Sequence, residues 1–238
     1  MQMNIISTVK CDKCNNSGLI WWVNENGQFM TKDCECMEMR KTERYLRNCG
    51  IDVDEFNRRS FEAFETKTED QKKMFQTAKA FLLDGSAKGI GYFGKSGTGK
   101  THICTAIYQE LIKTRKLQAK YFRYGREIKR LKALIFDDEV FLSQMGLWES
   151  CEVLYIDDLF KLAEGKAGDI ETKDLELIFN IVDSRNVKGK ITIFSSETSL
   201  KKITETDIAL GGRIAEIIGP YGVKCEGRNR RFDGINRT

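Results

Sequence analysis

Eight consecutive residues carry the most specific chemistry in this sequence: Gly94-Lys95-Ser96-Gly97-Thr98-Gly99-Lys100-Thr101. They fit the spacing G-x-x-x-x-G-K-[ST], and each fixed position has a chemical reason. The glycines let successive backbone N–H groups turn toward one point, a nest for phosphate oxygens. A helix starting near Thr101 adds its positive end. Lys100 brings a full charge to the β- and γ-phosphates, and the Thr101 hydroxyl can ligate Mg²⁺. A glycine-serine turn beside a surface lysine is the bland alternative, and the flanks argue against it. Ile90-Gly91-Tyr92-Phe93 reads as a strand, while Ile103, Ile107 and Leu111 have helical spacing. Strand, loop and helix in that order predict an ATP site with Mg²⁺.

Such a site needs an acid at a strand end to hold the metal and aim a water. Leu134-Ile135-Phe136-Asp137-Asp138-Glu139 begins its acidic run only 37 residues past Lys100 and continues a helical pattern from Ile128 and Leu131. Val153-Leu154-Tyr155-Ile156-Asp157-Asp158 reaches its first acid 57 residues on, which leaves room for a strand and a crossover helix. Asp157 is therefore expected to hold Mg²⁺, mostly through water. Asp158 is expected to orient or deprotonate the attacking water. A later apolar run, Lys190 to Phe194, ends in Ser195-Ser196-Glu197. Ligands bind at the C-terminal ends of parallel strands, so Ser196 and Glu197 belong beside the γ-phosphate.

A second constellation lies at the front. Cys11-Asp12-Lys13-Cys14 is followed, after 19 residues, by Cys34-Glu35-Cys36. This is close to zinc-ribbon spacing, and the two thiols of C-x-C lie on one face of an extended chain. Cys11, Cys14, Cys34 and Cys36 are the candidate Zn²⁺ ligands. Four reduced thiols, or a redox-active C-x-x-C, are the other readings. Between the pairs, residues 19–23 and 28–30 flank Asn26-Gly27, predicting a hairpin with a tight turn that brings the pairs together. A segment this small lacks a core, so metal would stabilise it. Cys49, Cys104, Cys151 and Cys225 are dispersed and read as small buried hydrophobes. His102, the single histidine, has no second ligand nearby, so no metal is expected there.

These residues must be positioned by a chain of 238 residues, enough for one medium domain and a small appendage. Hydrophobic residues make up 41%, enough for a core, and a net charge of +4 permits nucleic-acid binding without arguing for it. Met1 to Lys10 lacks the apolar run of a signal peptide, and no stretch approaches transmembrane length. A cytoplasmic protein that makes no membrane contact is expected, its cysteines reduced or metal-bound. Met37 to Asn48 reads as a charged helix stopping at Gly50, its Arg40, Lys41, Arg44 and Arg47 either solvated or facing a partner. Phe56, Phe61 and Phe64 anchor a linker onto the second domain or help cover the nucleotide base. Asp70 is expected to cap the next helix, and Thr206 the last one. Strands alternating with helices predict a parallel α/β sheet. The tail carries Lys224, Arg228, Arg230, Arg231 and Arg237.

The chain resembles the bacterial and phage replicative-helicase loaders of the DnaC/DnaI type, which are AAA+ ATPases. The resemblance covers nearly the whole length. It rests on Cys11-x-x-Cys14 with Gly18 and Cys34-x-Cys36, the phenylalanine linker, residues 94–101, Val153 to Leu159, and the strand ending in Ser195-Ser196. It implies a P-loop AAA+ three-layer domain with a five-stranded parallel sheet and no large lid, preceded by a small zinc-binding domain. The corresponding divisions are residues 1–50, a linker at 51–69, and 70–238. Ser195-Ser196-Glu197 falls where the family usually has Thr-Ser-Asn, the first sensor. Asp158 stands where many such ATPases carry Glu. Arg213, within Gly211-Gly212-Arg213-Ile214, matches the arginine finger that completes a neighbouring subunit's site; a helix-surface arginine is the plainer reading.

The resemblance also implies partners: a hexameric replicative helicase gripped by the zinc domain, single-stranded DNA touched by the ATPase domain, and self-association through that domain. Tyr121, Phe122, Tyr124, Lys129 and Arg130, interleaved with Arg123, Arg126 and Lys132, have the aromatic and basic mixture that stacking plus phosphate contact requires. One strand and one amphipathic helix with solvated charge account for the same residues. Three functions remain: a helicase loader, an IstB-like transposition helper, which generally lacks the cysteine-rich front, and a zinc-bearing adaptor that binds nucleotide without turnover.

Overall fold

After a 3₁₀ turn at Asp12–Cys14 come two short strands, β1 (Leu19–Val23) and β2 (Phe29–Asp33), antiparallel with Val23 opposite Phe29. The hairpin closes over residues 24–28 rather than over the two-residue Asn26-Gly27 turn that the sequence pattern predicts. The reason is local. The Asn24 side-chain oxygen accepts the backbone N–H groups of Asn26 (3.0 Å) and Gln28 (2.9 Å), and an Asx turn of this kind widens the loop. The hairpin buries little of itself: Trp21 is 61% and Phe29 80% exposed. Helix α1 (Cys36–Asn48) follows. The computed structural model describes residues 10–48, 53–115, 117–161, 170–227 and 229. Cys49, Gly50, Arg228, Arg230, Arg231 and Arg237 lie outside them, as does the side chain of Arg47.

The predicted linker contains a helix, α2 (Val53–Arg58), and its phenylalanines are anchors. Phe56, Phe61 and Phe64 are buried in one cluster with Met74 and Phe81 of α3 (Glu69–Leu83). The side-chain amide of Gln109 donates to the Phe56 carbonyl at 2.7 Å, pinning the linker backbone. Helix α3 is capped by Thr68, which exchanges bonds with Gln71 in a capping box. Asp70, expected as the cap, sits inside the first turn instead.

Strands and helices then alternate: β3 (Gly89–Gly94), α4 (Lys100–Arg115), β4 (Ala119–Arg123), α5 (Tyr124–Leu134), α6 (Asp138–Ser150), β5 (Val153–Asp157), α7 (Thr172–Val187), β6 (Ile191–Ser196), α8 (Leu200–Thr206), α9 (Ile208–Ile218) and β7 (Gly222–Cys225). The five strands form a parallel sheet in the order β4-β5-β6-β3-β7. Period-two alternation gives the sheet two apolar faces. Tyr92, Tyr155 and Ile193 pack toward α3 and α4, while Phe93, Leu154, Ile156 and Phe194 pack toward α5, α6, α7 and α9. This is the three-layer P-loop AAA+ arrangement expected, and among the described residues no helical lid follows β7. Helix α1 also lies against α4 and β4, with Met39 on the same core, so the charged front helix packs in part on the α/β body.

Helix α6 is an addition that sequence reading did not separate. Asp137 caps it by accepting the Val140 N–H at 3.2 Å, which is why the run ending at Asp137 is a helix junction and not an acidic strand end. Arg185 of α7 ties this insertion to the sheet. Its guanidinium is fully buried and donates to the Thr192 hydroxyl (2.9 Å) and to the carbonyls of Trp148 (2.8 Å), Cys151 (2.9 Å) and Ile191 (2.5 Å). Helix α9 is capped by Asp207 through the Leu210 N–H, and Thr206, the expected cap, ends α8.

Candidate functional site

The strand registers decide where chemistry can gather. Phe93 of β3 pairs with Ser196 of β6, and Arg123 of β4 with Asp157 of β5. The C-terminal ends of five strands therefore meet at one rim, counting β7, where Cys225 opposes Gly94. Gly94, Gly97 and Gly99 have φ of 129°, 72° and 100°, values that L side chains rarely adopt. A Cβ on Gly94 would overlap the Cys225 carbonyl, so the loop is seated on β7 as tightly as on its own strand. Lys95 donates its N–H to that same carbonyl at 2.9 Å. Helix α4 then begins at Lys100, directing its first N–H groups into the loop. The Lys100 ammonium is buried and donates to the carbonyls of Gly94 (2.8 Å) and Lys95 (2.6 Å). Burial holds its pKa below the usual lysine value. All eight loop residues, 94–101, are thus brought around one point, with Thr98 donating to Lys95 and closing the turn at 3.1 Å.

Asp157 sits at the centre of a cage of hydroxyl groups. Thr101 (3.3 Å), Tyr155 (2.6 Å) and Ser195 donate to one carboxylate oxygen, and Tyr121 (2.5 Å) to the other. Four donors from four elements fix the carboxylate's orientation beside the threonine of the phosphate loop. Thr101 and Asp157, both expected as Mg²⁺ ligands, therefore stand together, two oxygen donors of the hard kind the ion prefers. Sequence reading found Asp157 but missed its cage. The signal was partial: Tyr155 and Asp157 share a face of β5 by alternation, whereas Tyr121 and Ser195 arrive from other strands.

The two serines ending β6 have different jobs. Ser195 faces Asp157 and accepts the Asp158 N–H at 3.0 Å. Ser196, expected beside the γ-phosphate, turns away: it is buried, donates to the Leu159 carbonyl at 2.6 Å and accepts the Thr198 N–H at 3.0 Å. Its hydroxyl is consumed in shaping the turn, so that expectation is corrected. Asp158 and Glu197 do line one cavity of about 320 Å³, together with Gly97, Gly99, Lys100 and Thr101, and with Arg59 and His102 at its margin. Burial, then the nearby Asp157 charge, raises the Asp158 pKa. Burial would raise Glu197 too, but the Ser96 hydrogen bond and the Lys161 and Lys100 charges hold it below the usual carboxylate value. Lys161 pairs with both acids, at 3.1 Å from Asp158 and 3.3 Å from Glu197. His102 is held by the Ser60 carbonyl (2.8 Å) and the edge of the Phe64 ring, which joins the linker to the cavity wall.

Three residues expected to stack on DNA are withdrawn from any such role. Phe122 is completely buried, packed edge-on to Trp148. Tyr121 is buried and spends its hydroxyl on Asp157; Tyr124 is buried and spends its own on Asp174 at 2.5 Å. The aromatic half of the aromatic-basic interleave is core. Lys129 and Arg130 remain exposed on α5. Arg213 lies outside the cavity, on α9, paired with Asp183 (2.7 Å) and Glu216 (2.9 Å).

The four front cysteines converge. Their sulfurs all lie within 4.8 Å of one another, with Cys11–Cys34 at 3.7 Å and Cys14–Cys36 at 3.6 Å. These separations are far beyond an S–S bond. They match the edge of a tetrahedron of sulfurs about 2.3 Å from a central ion. The Gly18 N–H and the Arg40 guanidinium each donate to a sulfur, Cys14 and Cys36 respectively, at 3.3 Å. Such donors favour thiolates and orient metal ligands. The donor set fits zinc, whose contribution here would be cross-linking.

Comparisons with known proteins bear on this geometry. The family described as IstB-like ATP binding protein matches residues 17–209. The phage-like element PBSX protein XkdC of Bacillus subtilis (strain 168) is 30% identical over 96% of this chain and 88% of its own length. The uncharacterized protein YqaM of the same organism is 33% identical over 83% of this chain, which spans only 64% of YqaM. Among solved structures, DnaI superposes with a TM-score of 0.59 at 21% identity, over 72% of this chain and 93% of DnaI. The DnaC helicase loader gives 0.56 at 22%, over 72% and 97%. AMPPCP-bound DnaA from Aquifex aeolicus gives 0.57 at 20%, over 74% of this chain and 52% of DnaA, so the chain spans about half of that molecule. At these identities the superpositions speak for a shared AAA+ fold. No helix among the described residues is long and apolar enough to cross a membrane.

Proposed function

This chain belongs to the IstB-like ATP-binding protein family, and from that premise we propose that it is an ATPase that loads a hexameric replicative helicase onto single-stranded DNA. The observation that carries the reading is the pairing of two features in one chain. Residues 97 and 99–101 line a cavity with Asp158 and Glu197, and four converging cysteines flank an exposed aromatic hairpin earlier in the sequence. The fold shared with DnaI and with the DnaC helicase loader supports the same assignment. The transposition-helper alternative leaves the cysteine cluster without a task.

In the proposed mechanism, residues 94–101 bind the phosphates; Thr101 and Asp157 would hold Mg²⁺, which would supply positive charge against them. Asp158 orients the attacking water, and Glu197 borders the terminal phosphate. Ser195, not Ser196, is the serine that couples the β6 strand to the acids. Arg213 completes the site of a neighbouring subunit, leaving its pairs with Asp183 and Glu216 when subunits associate. The N-terminal unit, which we set at residues 1–50 ahead of a linker at 51–69 and an ATPase domain at 70–238, grips the helicase with Trp21, Trp22 and Phe29. Lys129 and Arg130 contact DNA through phosphates alone. ATP binding favours the subunit and DNA contacts, and hydrolysis releases the helicase.

A single-turnover ATPase assay with single-stranded DNA and helicase present tests this reading. Hydrolysis is expected, and it should fall when Arg213→Ala protein is mixed into wild type in proportions that poison shared sites. Absence of turnover under every condition would reduce the protein to a nucleotide-binding adaptor.

A further inference from the structure

The turn leaving β5 carries an ammonium group back between two acids. Asp158 and Phe160 have φ of 54° and 57°, a left-handed conformation that costs energy for residues other than glycine. The turn is secured from both sides. Leu159 donates its N–H to the Ser195 carbonyl and Lys161 returns its own to the Asp158 carbonyl, each at 2.9 Å. Phe160 is buried against the ring of Tyr124. This strained, anchored reversal places the Lys161 ammonium between Asp158 and Glu197, the acids at the ends of β5 and β6.

Both acids line the cavity that holds Lys100 and Thr101. The loop's N–H groups cradle the first two phosphates of a nucleotide, and Lys100 reaches the second and the outermost. A third projects beyond the loop toward the strand ends. There, besides Lys100, it meets two carboxylates, which would repel it, and a second ammonium, that of Lys161, which would attract it.

We propose that Lys161 is the residue by which this site distinguishes a nucleoside triphosphate from a diphosphate. The ammonium leaves its two carboxylates for the terminal phosphate, and Asp158, released from its pair, becomes available to hold the attacking water. Charge is exchanged between existing groups and no covalent step is involved. The inference rests on reading the cavity as the nucleotide site. It makes Lys161 a specificity determinant distinct from the lysine of the phosphate loop.

The test is calorimetric titration of the full chain with ADP and with AMPPCP, for wild type, Lys161→Met and Lys161→Arg. Lys161→Met is expected to weaken AMPPCP by about tenfold or more relative to its effect on ADP. Lys161→Arg, which keeps the charge, is expected to restore most of the ratio. A merely structural role would lower both affinities together and leave the ratio unmoved. If Lys161→Met unfolds, Lys161→Gln, which keeps hydrogen bonding without charge, replaces it. Wild type that binds neither nucleotide would contradict the reading of the cavity. Wild type that binds both, with a ratio untouched by removing the Lys161 charge, would overturn this inference alone.

Discussion

At the scale of single residues, the account depends on how Lys100 and Asp157 are held. Lys100 is buried and donates to two loop carbonyls, so an incoming phosphate finds a cation already stripped of much of its water. Lys100→Ala removes a charge-assisted contact worth about 1.5–3 kcal/mol, so nucleotide affinity should fall about 10- to 100-fold with little change in Tm. Equilibrium titration with a fluorescent ATP analogue measures it, and unchanged affinity would count against the cradle. The phosphate loop was legible in the sequence because its chemistry is contiguous: eight neighbours supply backbone, charge and hydroxyl. The cage on Asp157 was not. Tyr121, Tyr155 and Ser195 look like ordinary strand residues until β4, β5 and β6 are set in register. Lys161 was hidden for a different reason, since only the two left-handed residues of its turn bring it back to Asp158.

At the scale of elements, the sheet's alternation and the helix after the loop were readable from apolar periodicity, and the insertion of α6 was not. The apolar run Leu134-Ile135-Phe136 hides the junction that Asp137 caps. Strand β7 was equally obscure, with four residues and no apolar run. Arg185 is the rivet of this region. Its replacement by Met would leave the Thr192 hydroxyl and three buried carbonyls short of a donor, costing roughly 3 kcal/mol or more. In a chain of this size that lowers Tm by about 6–12 °C, which thermal unfolding would register. At the front, the cysteine spacing was legible and the wide Asn24 loop was not. The hairpin has little core, so metal should be its main source of stability. Elemental analysis is expected to find about one zinc per chain. Cys11→Ser with Cys14→Ser should abolish it, and a strong chelator should quench the change in Trp21 and Trp22 fluorescence that accompanies metal loading.

At the scale of the whole molecule, the proposed function requires a device that reports its nucleotide state to a partner. The linker phenylalanines connect the two halves physically: Phe56 is pinned by Gln109 of α4, and Phe64 touches His102 one residue after Thr101. Helix α1, which begins on Cys36 of the cluster, lies on α4 and β4, so the cysteine cluster is one helix away from the helix that follows the phosphate loop. A change at the cradle therefore has a short, packed route to the aromatic hairpin. Co-purification with a hexameric replicative helicase, with and without ATP, tests this most directly. The wild-type chain is expected to retain the helicase, to release it as ATP is hydrolysed, and to lose the ATP response on Lys100→Ala and the helicase itself on Cys11→Ser with Cys14→Ser. Retention that is indifferent to both nucleotide and the cysteine pair, or no retention at all, would contradict the account.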